Sequence, residues 1–152
     1  MQEKLKVKVI VKLIFYPSEN QDKLIRVIKN VIDVNDENIF IKQESRFPII
    51  FGIAEGKKSI MKLYEGFRKQ KTVQTARDQL LKRIKENYVE FMLHKQAAFV
   101  NKFHFCHSEN ESPMGPIWIR IESNNIRKLL DYLFPQTKDG KVLEIKEPEF
   151  EN

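Results

Sequence analysis

The chain has 152 residues, with 41% hydrophobic residues, 32% charged residues and only five glycines and six prolines. That composition lies in the globular range and excludes a disordered or low-complexity chain. The single cysteine, Cys106, excludes an internal disulfide and points to a reducing, cytoplasmic setting. The apolar stretch from Leu5 to Tyr16 is broken by Lys6, Lys8 and Lys12, which excludes a signal core or a spanning helix of about 20 apolar residues, so no membrane partner is expected.

Strict alternation predicts a strand over residues 4–16, with Leu5, Val7, Val9, Val11, Leu13 and Phe15 on its dry face. Pro17 ends it, and Ser18 followed by Gln21 has the capping-box spacing for a helix carrying Leu24, Ile28 and Val31, with Ile25 and Ile32 beside them. A second strand is predicted over Ile39 to Glu44. Next comes an apolar segment through Phe47, Pro48, Ile50 and Phe51, whose type the pattern leaves open, running into breaks at Gly52 and Gly56.

Two helices follow, one through Ile60, Leu63, Tyr64 and Phe67, the other through Val73, Ala76, Leu80 and Ile84, with the basic run Arg68 to Lys71 between them. Alternation returns in Tyr88 to His94, Phe99 to Cys106 and Ile117 to Glu122, predicting three more strands. Asn124 or Asn125 caps a last helix with Ile126, Leu129, Leu130 and Leu133, stopped by Pro135. Beyond Gly140, Leu143 and Ile145 suit a short edge strand before the acids Glu147, Glu149 and Glu151, expected to form a frayed, solvated tail. Strands in runs with unevenly spaced helices predict an α+β fold, a mainly antiparallel sheet covered on one face by helices. Residues 1–140 are expected to form one domain and 141–152 an edge strand or acidic tail.

Charge is concentrated. Residues 57–86 hold ten lysines and arginines against three acids, a net of +7. Subtraction from the whole chain's 27 and 21 leaves 17 basic and 18 acidic residues elsewhere, a net of −1. Lys58, Lys62 and Lys69 fall on outward positions of the first basic helix, Arg68 and Lys71 at the junction, and Arg77, Lys82 and Lys85 opposite the second helix's apolar stripe. These eight are the candidate phosphate contacts, the arginines bidentate and the lysines as point charges. The competing reading is a solvated helix face, supported by Asp78 and Lys82 at i, i+4.

Other motifs fail on spacing. Gly52 to Ser59 brushes against a P-loop, but only three residues separate its glycines and a second lysine precedes Ser59, so a loop entering a helix is expected. Lys95 to Phe103 echoes the aromatic motif of the RNA-recognition-motif domain, but Gln96 and Ala97 replace its glycine and aromatic. Phe99, Phe103 and Phe105 therefore read as core, and no stacking platform is visible. His104, Cys106 and His107 invite a metal, yet strand alternation turns His107 away and no fourth ligand stands nearby. His94 has no nucleophile motif beside it. No catalytic residue, metal or cofactor is expected.

Several stretches together resemble an uncharacterised archaeal family described as predicted RNA-binding proteins. They are Pro17-Ser18-Glu19, Arg68-Lys69-Gln70 followed by Ala76-Arg77, Lys95-Gln96-Ala97-Ala98-Phe99-Val100, Ser112-Pro113-Met114-Gly115-Pro116-Ile117 and Pro135-x-Thr137-x-x-Gly140. The resemblance spans nearly the whole chain and implies an α+β fold like that of the fifth large-subunit ribosomal protein, with no catalytic residues to carry over. Asn101 stands where that family often has glycine, and Gln74 where an acid often precedes the Ala-Arg pair, which leaves this helix more basic. The expected function is a non-enzymatic module for structured or ribosome-associated RNA. The alternative is a protein-interaction subunit or homodimer with no direct nucleic-acid role.

Overall fold

The computed structural model describes residues 3–44 and 46–151. Strands β1 (Val7–Ile14), β2 (Ile39–Gln43), β3 (Pro48–Glu55), β4 (Tyr88–His94), β5 (Phe105–Cys106) and β6 (Pro116–Ser123) form one sheet. Its order is β2-β3-β1-β6-β4-β5, every pairing antiparallel. Helices α1 (Gln21–Val31), α2 (Met61–Gln70), α3 (Val73–Leu81), α4 (Lys95–Phe99) and α5 (Ile126–Leu133) complete the expected α+β architecture.

Alternation in β1 does what the sequence predicts. Val7, Val9, Val11 and Leu13 are buried, and the register sets Val9 between Ala54 and Ile121, and Val11 between Gly52 and Ile119. The helices pack on this face, where Leu24 and Ile28 of α1, Leu63 and Phe67 of α2, Ala76 and Leu80 of α3 and Leu129 and Leu133 of α5 join the same core. Phe67 is its hub, with the rings of Phe103, Phe105 and Phe134 centred 5.1 to 5.5 Å away. The opposite face carries exposed Lys12 and Glu90 among half-buried Lys8, Ile10, Phe51 and Trp118.

Several elements depart from expectation, each for a local reason. Asn20, not Ser18, caps α1, its side chain accepting from the amides of Asp22 and Lys23 at 2.8 and 3.2 Å. Gly52 is no break: it lies inside β3, where an added Cβ would sit 2.8 Å from Ile28 Cγ2, so glycine lets α1 close on the sheet. Gly56 does break the chain, at φ +84°, and leads through a 3-10 turn into α2, the loop-into-helix arrangement expected there. The strand predicted from Phe99 to Cys106 shrinks to two residues, because Lys95–Phe99 forms a single helical turn that ends with Asn101 left-handed at φ 61°. Asparagine supports that conformation better than most residues, so the tight turn survives without glycine. Phe103 and Phe105 still serve the core.

The C-terminal segment departs most. Thr137–Lys138 (β7) and Lys141–Val142 (β8) pair across Asp139-Gly140, both with positive φ, the chemistry of a tight two-residue hairpin. Leu143 and Ile145 are exposed and lie outside any strand. The acidic tail is docked rather than frayed: Leu5 N donates to Glu149 O at 2.8 Å and Glu151 N to Leu5 O at 2.9 Å, a parallel bridge between Leu5 and Phe150. Phe150 packs edge-on to Tyr132, ring centroids 5.7 Å apart. No helix among the described residues is long and apolar enough to cross a membrane.

Candidate nucleic-acid interface

The eight predicted cations divide into two groups. Lys58, Lys62, Lys69, Lys71, Lys82 and Lys85 are exposed. Lys58, Lys62 and Lys69, spaced i, i+4 and i+11, follow the side of α2 and its leading turn away from buried Leu63 and Phe67. Lys71 caps α2 in a left-handed conformation, and Lys82 and Lys85 follow the end of α3. Lys62 donates to the carbonyl of Lys29. Among the described residues, Lys58, Lys69, Lys71, Lys82 and Lys85 form no ion pair. Asp78, the expected partner of Lys82, instead accepts from Gln74 Nε2 at 2.9 Å.

Arg77 is buried, which corrects its placement opposite the apolar stripe, and Arg68, expected at the junction, is half-buried and engaged rather than free. Arg77 is only 7% exposed; its Nη1 donates to Phe134 O at 2.9 Å and pairs with Asp131 at 3.0 Å. Arg68 Nη1 donates to Leu133 O and Tyr64 O at 2.9 and 3.0 Å, and its guanidinium stacks 3.3 Å from the Tyr64 ring centroid. Both arginines thus satisfy carbonyls at the C-terminal end of α5, where a helix leaves acceptors unpaired and favours positive charge. Helical spacing does put Arg77 beside Ala76, but an arginine's reach to a distant helix end is invisible to periodicity.

Arg68 also forks onto Glu144, at 3.0 and 2.8 Å. Nearby, Glu147 pairs with Lys57 and accepts from Tyr132 Oη at 3.1 Å, and Glu151 lies 3.8 Å from Lys6. The Arg68 hydrogen bond holds the Glu144 carboxyl below the ordinary carboxylate range, and Lys57 with Tyr132 does the same for Glu147. Burial and the hydrogen bond to Glu147 push the Tyr132 hydroxyl up. The tail therefore neutralises one end of the basic segment.

A second knot surrounds Lys95, 1% exposed. Its ammonium donates to Ile14 O at 3.0 Å, Met114 O at 2.6 Å and Glu19 Oε1 at 3.1 Å, and lies 5.3 Å from the Tyr16 ring centroid. Its backbone N–H meets Ser112 Oγ at 3.2 Å. Burial pulls its pKa down, and Glu19 opposes that shift. Glu19, Lys95, Ser112 and Met114 come from three of the motifs that carry the family resemblance. The remaining motifs are tied to residues beside them: Gln70 pairs with both backbone groups of Phe103, and Thr137 N donates to Gln74 Oε1 at 2.8 Å. These contacts tie loops to the sheet and helices, while Lys69 of the Arg68-Lys69-Gln70 motif stays exposed.

Chemically, the exposed lysines offer a positively charged surface suited to phosphate. Burial, then the neighbouring Glu111, pushes the Cys106 thiol up to about 11, the opposite of an activated nucleophile. On the open sheet face, Lys12 lies 5.4 Å from the Trp118 ring centroid and Arg120 lies 3.7 Å from that of Tyr88, pairs that alternation alone did not reveal.

A family model described as "RNA binding" matches residues 8–124. A UPF0201 protein of Sulfurisphaera tokodaii is 34% identical over 136 residues, covering 90% of this chain and 92% of its own. One from Saccharolobus solfataricus is 36% identical over 137 residues, covering 90% and 93%. Among solved structures, a UPF0201 protein from Methanococcus jannaschii superposes with a TM-score of 0.70 at 26% identity, over 91% of this chain and 99% of that one.

Proposed function

The chain belongs to this archaeal UPF0201 family, matched by an RNA-binding family model, and from that premise we propose that it is a non-enzymatic module for structured RNA in the cytoplasm. Phosphates meet Lys58, Lys62, Lys69, Lys71, Lys82 and Lys85. The observation that carries this reading is that five of these lysines are exposed and free of ion pairs among the described residues, whereas Arg68 and Arg77 of the same segment are consumed by the C-terminal end of α5. Lysine-dominated contact recognises shape and charge rather than base sequence. Arg68 and Arg77 shape the surface without touching RNA.

The docked tail limits this surface. Glu144 and Glu147 neutralise Arg68 and Lys57 at one end of the segment, so their carboxylates oppose phosphate there and contact falls to the unpaired lysines.

Reversing Lys69, Lys71 and Lys82 to glutamate is the test. Loss of retention of a labelled structured RNA, with an unchanged melting temperature, is the expected result; unchanged retention overturns the reading. A homodimer is favoured by a different observation. Phe40 and Ile41 of edge strand β2 are 41% and 46% exposed, and such an edge is a template for pairing. Light scattering separates the two: a monomer that binds RNA leaves the edge without that role.

A further inference from the structure

Three metal-ligating side chains far apart in sequence meet at one corner of the sheet. His94 ends β4, Cys106 ends β5 and Glu111 lies in the 3-10 turn Glu109–Glu111; one ligand atom from each lies within 4.8 Å of the others. The register explains the first two. Met92 pairs with Cys106, and His94 N donates to His104 O at 2.9 Å, so His94 and Cys106 share Met92's parity and project from neighbouring strands on the face away from the helices. The turn bearing Glu111 packs against β6 and carries its carboxylate to the same corner.

No hydrogen bond or ion pair occupies any of these three side chains among the described residues. Buried Lys95 and Arg77 and half-buried Gln70, by contrast, are all hydrogen-bonded. A solvent-exposed carboxylate thus meets a buried thiol and an imidazole, with no ion pair among the described residues.

We propose that His94, Cys106 and Glu111 bind one divalent metal ion of the zinc class, leaving a fourth position open. The donor set decides the class. Thiolate and imidazole suit a borderline-soft ion, whereas calcium and magnesium take oxygen ligands. Bonds of about 2.3 Å to sulfur and about 2.0–2.2 Å to nitrogen and oxygen place tetrahedral donors roughly 3.3–3.7 Å apart. The donors therefore close by little more than ~1 Å, a motion that exposed Glu111 can supply while the paired strands stay fixed. The thiol proton leaves to solvent as the sulfur–metal bond forms, with no change of oxidation state. Of the residues whose spacing suggested a metal, Cys106 alone belongs to this set. His104, its ring centroid 6.5 Å from that of His94, is the next imidazole at the corner, and His107 lies outside. The inference is independent of the RNA reading.

The test is metal titration of the full chain after stripping with a chelator. One equivalent of zinc should survive desalting, and cobalt(II) should give a near-ultraviolet thiolate-to-metal charge-transfer band that Cys106→Ser abolishes. Because Cys106 is buried and its variant can fail to fold, Glu111→Gln carries the test at an exposed position. It should keep the fold and weaken zinc affinity by about tenfold or more. Zinc retention no greater than that of Cys106→Ser, a cobalt complex without the thiolate band, or wild-type affinity in Glu111→Gln would each overturn the proposal.

Discussion

Lys95 and Lys69 are the same residue type in the same basic chain, yet they do opposite work. Lys95 is sealed between Ile14, Glu19 and Met114, while Lys69 stands exposed on α2 with no ion pair among the described residues. Arg77 and Lys82, five positions apart, repeat the contrast. Net charge counts all four alike, but a cation already satisfied by carbonyls and a carboxylate has no capacity left for a phosphate. The residues that build the surface and the residues that serve it are thus separate sets, and each set fails differently when changed.

The largest effect is expected at Lys95. Lys95→Met leaves Glu19 buried without its partner, and breaking such a pair costs about 3–5 kcal/mol. In a chain of this size that lowers the melting temperature by about 6–20 °C. Thermal unfolding followed by circular dichroism checks it, and a shift of only a degree or two would mean that the knot is not a structural anchor. Arg77→Met comes next: it removes a buried charged hydrogen bond and an ion pair, for about 1.5–3 kcal/mol. RNA affinity of the folded variant should stay unchanged, and a large loss of affinity at full stability would move Arg77 into the contact set.

Smaller effects belong to the tail. Glu144→Gln with Glu147→Gln should raise RNA affinity about two- to fivefold, the range of one or two exposed ion pairs; equal or weaker binding would show that the tail does not compete. Acid should do the same. A carboxyl whose folded pKa is depressed stabilises above its unfolded value, and that stabilisation is lost as pH falls through the folded one. The docked tail should therefore hold at pH 5 and release as pH drops below the ordinary carboxylate value of 4.5. Amide exchange at Leu5 and Glu151 reports the release.

Legibility followed range of interaction. Strand β4 lies where alternation put it, Tyr88 to His94, and α5 begins at Asn125, one of the two caps expected, because both depend on neighbours in sequence. Its rival Asn124 instead bridges Glu3 and the Lys4 and Lys6 backbone. Phe99 to Cys106 misled because the parity shared by Phe99, Phe103 and Phe105 does not distinguish a strand from a helical turn followed by a loop. The docking of the tail was illegible for another reason. Arg68 to Glu144 spans 76 residues, as does Lys95 to Glu19, and neither partner announces the other along the chain. The metal-ligating corner depends likewise on the pairing of β4 with β5.

The most direct measurement of the central claim is the salt dependence of RNA affinity for the unmodified chain. If about five of the exposed lysines contact phosphates of a duplex, log K falls against log salt with a slope near −4 to −5. The Lys69, Lys71 and Lys82 reversal should flatten that slope sharply. A slope near zero, or one that the reversal leaves untouched, would contradict the account and leave the exposed lysines as a solvated surface.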